Sequence, residues 1–168
     1  MSSKRNTKYK IKELFLTLQG EGFNTGKVSI FCRFSGCNLW NGIEKHRENS
    51  ICSFCDTDFK GTDGLNGGSY TLKELLNKID EIGKDLTTEK FIVFTGGEPL
   101  LQLDVKLIRN LKKKKYVIAI ETNGTILPPN GVDWICVSPK AGSKTLLKEG
   151  NEIKIVYPQK DIDLKLYE

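Results

Sequence analysis

Three cysteines crowd one stretch of the chain: Cys37, then fourteen residues, then Cys52, two residues, and Cys55. Three thiols in one loop make a poor disulfide set, because one is always left over, and a good metal set. Two residues between Cys52 and Cys55 let both sulfurs reach one metal centre, while the longer arm brings Cys37 round from the end of a strand. A 4Fe–4S cluster has four irons, so three protein thiolates leave one iron open to a further ligand. An open coordination position separates metal sites that do chemistry from those that hold a fold together, a logic best documented for zinc. The competing reading is a structural zinc site completed by His46 or Cys32.

Two further features carry chemistry. Arg33 sits inside a strand that leads directly to the cysteine loop, and a guanidinium there is costly unless it meets an anion. Gly96 and Gly97, within Thr95-Gly96-Gly97-Glu98-Pro99, have no side chains, so a ligand can approach the backbone and an amine or carboxylate can read its peptide groups. Taken alone, a Gly-Gly pair is more simply a tight turn.

The elements that must position these residues are legible in outline. Strands are expected over residues 10–18 and 28–34. The second puts Ile30, Cys32 and Phe34 on one face and Phe31 and Arg33 on the other, which makes Cys32 a small buried thiol. Residues 38–68 read as a long polar loop, a length that is usually functional or disordered. Thr71 and Glu74 form a capping box for a helix whose face is Leu72, Leu75, Leu76, Ile79 and Ile82. Residues 91–94 are an apolar strand of the doubly buried kind. A second helix carries Leu101, Val105, Ile108 and Leu111, and strands follow at 116–120, 133–137 and 152–156. Alternating strand and helix predict a parallel sheet, here an α/β fold built as a shortened, incomplete parallel barrel with a long cluster-binding loop. With every strand's C-terminal end at one edge, the loops 19–22, 95–99, 121–124 and 138–142 and the cysteine loop share that rim, where parallel barrels keep their active sites.

At 168 residues, 38% hydrophobic and 28% charged, the composition is that of one globular domain, 1–168. No apolar run approaches the roughly 20 residues of a membrane span. Residues 1–10 are polar and basic without the apolar stretch of a secretory leader, so five cysteines point to a reducing cytoplasm. The net charge of +5 includes Lys112 to Lys115 at a helix C-terminus, where they complement the dipole. No aromatic residues are interleaved to stack bases, so no nucleic-acid partner is expected.

Cysteine loop and Gly-Gly-Glu-Pro together resemble the radical S-adenosylmethionine enzymes. Most of these space their cysteines by three and then two. The fourteen-and-two spacing here is similar instead to the 7-carboxy-7-deazaguanine synthase family. That resemblance covers essentially the whole chain. It is carried by Thr17-Leu18-Gln19-Gly20-Glu21-Gly22, Phe31-Cys32-Arg33-Phe34-Ser35-Gly36-Cys37, Cys55-Asp56-Thr57, Thr95-Gly96-Gly97-Glu98-Pro99-Leu100, Glu121-Thr122-Asn123-Gly124 and Val137-Ser138-Pro139-Lys140.

The resemblance implies a 4Fe–4S cluster on Cys37, Cys52 and Cys55, S-adenosylmethionine on its open iron, and a Mg²⁺ ion with Thr57 as protein ligand. It implies 6-carboxy-5,6,7,8-tetrahydropterin as substrate, with Arg33 on its carboxylate and Gln19, Glu21 and the Leu18 backbone at the ring edge. Thr95, Gly96, Gly97 and Glu98 would take the methionine end of S-adenosylmethionine, and Thr122, Ser138 and Lys140 its ribose or carboxylate. Asn123 is a weaker candidate, Asp56 a helper or a turn cap, Trp40 a lid over the cluster, and His46 a solvent-facing residue. No side chain is implied as general acid or base. The expected partners are a flavodoxin or ferredoxin as reductant and a second copy of the chain. The family's C-terminal lid segment is expected to be short or missing, because the sequence stops at Glu168 as residues 161–167 look ready to begin a helix. Two rivals remain: an activase that makes a glycyl radical on a partner protein, and a zinc-stabilised binding module.

Overall fold

The computed structural model describes residues 8–167. Of the polar stretch read above as free of a leader, residues 1–7 lie outside the described residues, as does Glu168.

β1 (Tyr9–Leu18) and β2 (Val28–Phe34) open the chain, and the short β3 (Gly68–Tyr70) follows the cysteine loop. Then come α1 (Leu72–Ile82), β4 (Phe91–Gly96), α2 (Val105–Lys113), β5 (Val117–Thr122), β6 (Trp134–Val137) and β7 (Glu152–Ile153). The strands form one open sheet in the order β3-β1-β2-β4-β5-β6-β7. From β2 to β7 every neighbour is parallel, which is the unclosed parallel barrel expected.

β1 departs from that expectation. It runs antiparallel to β2, with Leu18 opposite Val28 and Leu14 opposite Cys32. Its C-terminal end therefore lies at the opposite edge from those of β2 and β4, and residues 19–22 do not belong to the common rim. The connection explains why: parallel neighbours need a crossover of a dozen or more residues, and the nine between β1 and β2 hold none.

Strand alternation divides the sheet into two unlike faces. Ile30, Cys32, Phe34, Ile92, Phe94, Ile118 and Ile120 pack with Leu75, Ile79, Leu107, Ile108 and Leu111 into the main core. Phe31, Arg33, Val93, Thr95, Ala119 and Glu121 point the other way. Helices cover one face, and the other is left for the site.

Local signals account for most elements. Thr71 and Glu74 cap α1 reciprocally, the Thr71 N–H donating to Glu74 Oε2 at 2.7 Å. Asp104 caps α2 by accepting from the Leu107 N–H at 2.9 Å. That cap corrects the second helix: Leu101 lies in a separate 3-10 turn, Pro99–Leu101, and both Leu101 and Val105 are exposed. The buried stripe is Leu107, Ile108 and Leu111. The last strand is shorter than expected, the 38–68 loop contains a 3-10 helix at Glu44–Asn49, and the final helix is a 3-10 turn, Leu164–Tyr167. No helix among the described residues is long and apolar enough to cross a membrane.

Candidate active site

Cys37 leaves the end of β2 through Ser35 and Gly36, and its sulfur accepts from the Leu39 N–H at 3.4 Å. The neighbouring thiols of Cys52 and Cys55 titrate as a pair, which pulls Cys55 down to about 6 and pushes Cys52 well above the usual thiol range. Burial raises Cys37. All three thiols line one cavity of about 800 Å³, inside the range of small-molecule sites.

The donor set fits a 4Fe–4S cluster. Among the described residues no three His, Cys, Asp or Glu side chains converge on a single-ion position. Neither candidate fourth ligand for zinc is available: Cys32 is wholly buried on the helix-packed face, and His46 is exposed and paired with Asn41 at 2.7 Å. Three thiols on a wall serve four irons and leave the fourth to an exogenous ligand.

Two cations that sequence reasoning missed shape the cysteine arm. Arg47 donates through Nη1 to the carbonyls of Ser53 (3.0 Å) and Cys55 (2.8 Å), and its Nε and Nη2 grip Glu44. The same guanidinium lies 4.1 Å over the Trp40 ring, whose edge meets Phe59. Lys12 fixes the arm's far end, contacting Asp58, Asp63 and the Lys60 carbonyl within 3.0 Å. Lys12 finds hydrogen-bond partners 48 and 51 residues away, while those of Arg47 lie within 8 residues of it inside the arm.

The Gly-Gly pair packs differently from the reading above. Gly96 has φ +127°, and a Cβ there would overlap β2 at Phe34; one on Gly97 would fall 2.6 Å from the Cys37 Cβ. The space without side chains is filled by the end of β2 at Gly96 and by the start of the cysteine loop at Gly97, and the Glu98 N–H donates to the Gly36 carbonyl. Gly96 and Gly97 still line the cavity.

Glu98 does not. It is fully buried, and its carboxylate accepts from the Leu100 N–H (3.0 Å), Thr122 Oγ1 (2.8 Å) and the Asn123 N–H (2.9 Å). It ties the β4 loop to the β5 loop and is not among the cavity's lining residues. Asn123 extends that tie through Nδ2 to Asn38 in the cysteine arm, at 3.0 Å. Ser138 and Lys140 meet at the cavity, Lys140 Nζ donating to Ser138 Oγ at 2.6 Å, and burial lowers the Lys140 pKa.

Every other residue named for the site lines this cavity: Leu18, Gln19, Glu21, Arg33, Thr57, Thr95 and Thr122, with Arg33 and Thr95 directly paired across β2 and β4. Arg33 already meets an anion the sequence did not flag. Its Nε donates to Glu13 at 2.7 Å across the β1–β2 pair. The bond uses Nε, so the terminal nitrogens remain for a ligand. Thr57 Oγ1 lies 3.3 Å from Asp56. Three charged cavity residues went unassigned, Glu121, Glu152 and Lys154. Glu121 accepts from Gln19 Nε2 at 3.0 Å and from Thr95 Oγ1 at 3.3 Å. Its parity with Ala119 along β5 was the available signal.

An open parallel sheet with a three-thiol arm after β2 and a glycine pair after β4 defines a radical S-adenosylmethionine domain. The family model for the radical SAM superfamily matches residues 46–157. Among curated proteins, the 7-carboxy-7-deazaguanine synthase of Bradyrhizobium diazoefficiens is 54% identical over 152 residues, covering 90% of this chain and 72% of that protein. Its namesake in Nitratidesulfovibrio vulgaris is 48% identical over 164 residues, 95% and 76% of the two chains. A crystal structure of QueE from Escherichia coli superposes with TM-score 0.68 at 28% identity, covering 91% of this chain and 76% of that one. The chain belongs to the 7-carboxy-7-deazaguanine synthase family.

Proposed function

We propose that the chain converts 6-carboxy-5,6,7,8-tetrahydropterin to 7-carboxy-7-deazaguanine with loss of ammonia, on the route to queuosine and related deazapurines. The observation that carries the reading is a single cavity lined by the three thiols together with Arg33, Gln19 and Glu21. When bound, the 4Fe–4S cluster and S-adenosylmethionine supply a 5′-deoxyadenosyl radical by one-electron cleavage of a carbon–sulfur bond.

The chain's own residues hold the reactants in place. Thr95 and the Gly96 and Gly97 peptides take the methionine end of S-adenosylmethionine, and Thr122, Ser138 and Lys140 its ribose or carboxylate. Glu98 supports that pocket through Thr122 and Asn123 and does not touch it. The terminal nitrogens of Arg33 clamp the pterin carboxylate. Glu21, an acceptor-only carboxylate, and Gln19, which both donates and accepts, read the ring edge with the Leu18 backbone. Thr57 would supply a hydroxyl to Mg²⁺, an ion that keeps much of its hydration and needs few protein ligands. No side chain has to move a proton from carbon 6. The work of the fold is to hold that carbon beside the radical and keep water away. A flavodoxin or ferredoxin as electron donor, a homodimeric assembly and a cytoplasmic setting complete the proposal.

The test is anoxic reconstitution with iron and sulfide, followed by reductant, S-adenosylmethionine, Mg²⁺ and the carboxytetrahydropterin. The expected product is 7-carboxy-7-deazaguanine. 5′-Deoxyadenosine without any deazapurine would point to another substrate or to a protein-activating role.

A further inference from the structure

Lys154 lies one residue beyond β7, where its N–H still pairs with the Val137 carbonyl at 2.9 Å. Register places it on the same face as Cys136 and Glu152. Its half-buried ammonium sits 3.0 Å from Glu21 Oε2 and 3.3 Å from Glu121 Oε2. One cation thus joins three separate pieces of chain: the loop after β1, the end of β5 and the segment after β7.

The loop needs such a hold. Because β1 is antiparallel to its neighbour, residues 19–26 reach the cavity from the opposite end and are not carried by a parallel strand. Backbone bonds between Gln19 and residues 26–27 and between Gly22 and Thr25 close the turn on itself, and its contacts with the rest of the fold include Gln19 on Glu121, Gly22 against the Glu152 carboxylate, and Phe23 stacked 5.0 Å from Trp134. Phe23 is nonetheless 79% exposed, so that stack alone does not seal the loop. Glu21 itself projects largely into solvent, its side chain 68% exposed. An exposed glutamate with free rotamers makes a poor reader of a flat ring, because it must be ordered each time a ligand binds.

We infer that Lys154 is a positioning residue for the pterin, holding Glu21 against Glu121 so that the ring edge meets a preset acceptor. This rests on the proposed role of Glu21. The geometry suits the task, since Lys154 engages only Oε2 of Glu21 and leaves Oε1 for a ring N–H. It also offsets the repulsion between two carboxylates brought to one cation. Lysine and arginine both provide that cation; methionine provides the length without the charge.

The experiment compares Lys154→Met, Lys154→Arg and wild type in reconstituted enzyme, measuring iron content, KM and kcat for the carboxytetrahydropterin, and the rate of chymotrypsin cleavage after Phe23. Lys154→Met is expected to retain wild-type iron content, raise KM about tenfold with kcat changed far less, and speed cleavage after Phe23. Lys154→Arg is expected to restore KM to within about threefold of wild type. A Met variant with wild-type KM overturns the inference, as does an Arg variant as impaired as the Met one. Wild type without turnover on this pterin would instead remove the substrate reading. The cleavage rates then decide the clasp alone, and unchanged cleavage in Lys154→Met overturns it.

Discussion

Glu98 offers the sharpest test, because sequence and structure give it different jobs. If it touched S-adenosylmethionine, replacing it would weaken that ligand and leave the ligand-free protein as stable as before. The structure makes it a buried pin accepting three hydrogen bonds. Glu98→Gln keeps one oxygen for Leu100 and Thr122 but sets an amide N–H₂ against the Asn123 N–H. One unsatisfied buried donor costs about 1–3 kcal/mol. Burial raises the Glu98 pKa despite its three donors, so the charge is incompletely compensated and glutamine recovers part of that penalty. The net loss should be about 1–2 kcal/mol, which lowers the unfolding midpoint by about 2–8 °C for a chain of this length. Glu98→Ala strands all three donors and should cost about 3–5 kcal/mol, or about 6–20 °C. That is a large fraction of the stability of a typical domain. Thermal unfolding followed by circular dichroism without S-adenosylmethionine reads the effect. Midpoints within about 1 °C of wild type, together with a selective loss of S-adenosylmethionine affinity, would refute this reasoning.

Arg33→Ala should lower kcat/KM for the carboxytetrahydropterin by about 10–150-fold, the worth of a charged hydrogen bond; wild-type steady-state kinetics would remove the carboxylate clamp. Thr57→Ala should weaken the Mg²⁺ dependence of turnover while iron content stays at the wild-type level, and an unchanged Mg²⁺ titration would exclude Thr57 as the ligand. Tyr116 lies in the core with its hydroxyl toward Asp80, and burial pushes its pKa up to about 12. The unfolded value is about 10, so its stabilising contribution is whole below pH 10 and is lost as pH climbs to about 12. Denaturant midpoints measured across that window should fall in wild type and fall less in Tyr116→Phe.

What the chain revealed by itself depended on how local the cause was. The Thr71–Glu74 box, the apolar run of β4 and the placement of Cys32 in an apolar row are decided within a few residues, and each was readable. β1 was located but misdirected, because strand direction belongs to pairing; the short link to β2 held the clue. β3 escaped notice because three residues, Gly68-Ser69-Tyr70, show no alternation and exist as a strand only through Tyr9–Ile11. The motifs after β1, β2, β4, β5 and β6 brought much of the cavity lining to attention, but not the 152–156 segment or the aromatic residues Phe54 and Phe59. They did not say which side chains point inward. Glu98 turned into the protein, Glu121 into the cavity, and Lys12 found partners that only folding supplies.

The arm between Cys37 and Cys55 is moored independently at its two ends. Gly97 abuts Cys37 at the start, and Lys12 holds residues 58–63 just past the finish. Material added between two fixed moorings costs little, about 0.6 kcal/mol for each doubling of length. Exposed positions of the arm outside its Asn38, Trp40 and Arg47 contacts, such as Lys45 and Glu48, are therefore where this scaffold can absorb insertions, or receive a reporter peptide, while the three thiols keep their spacing.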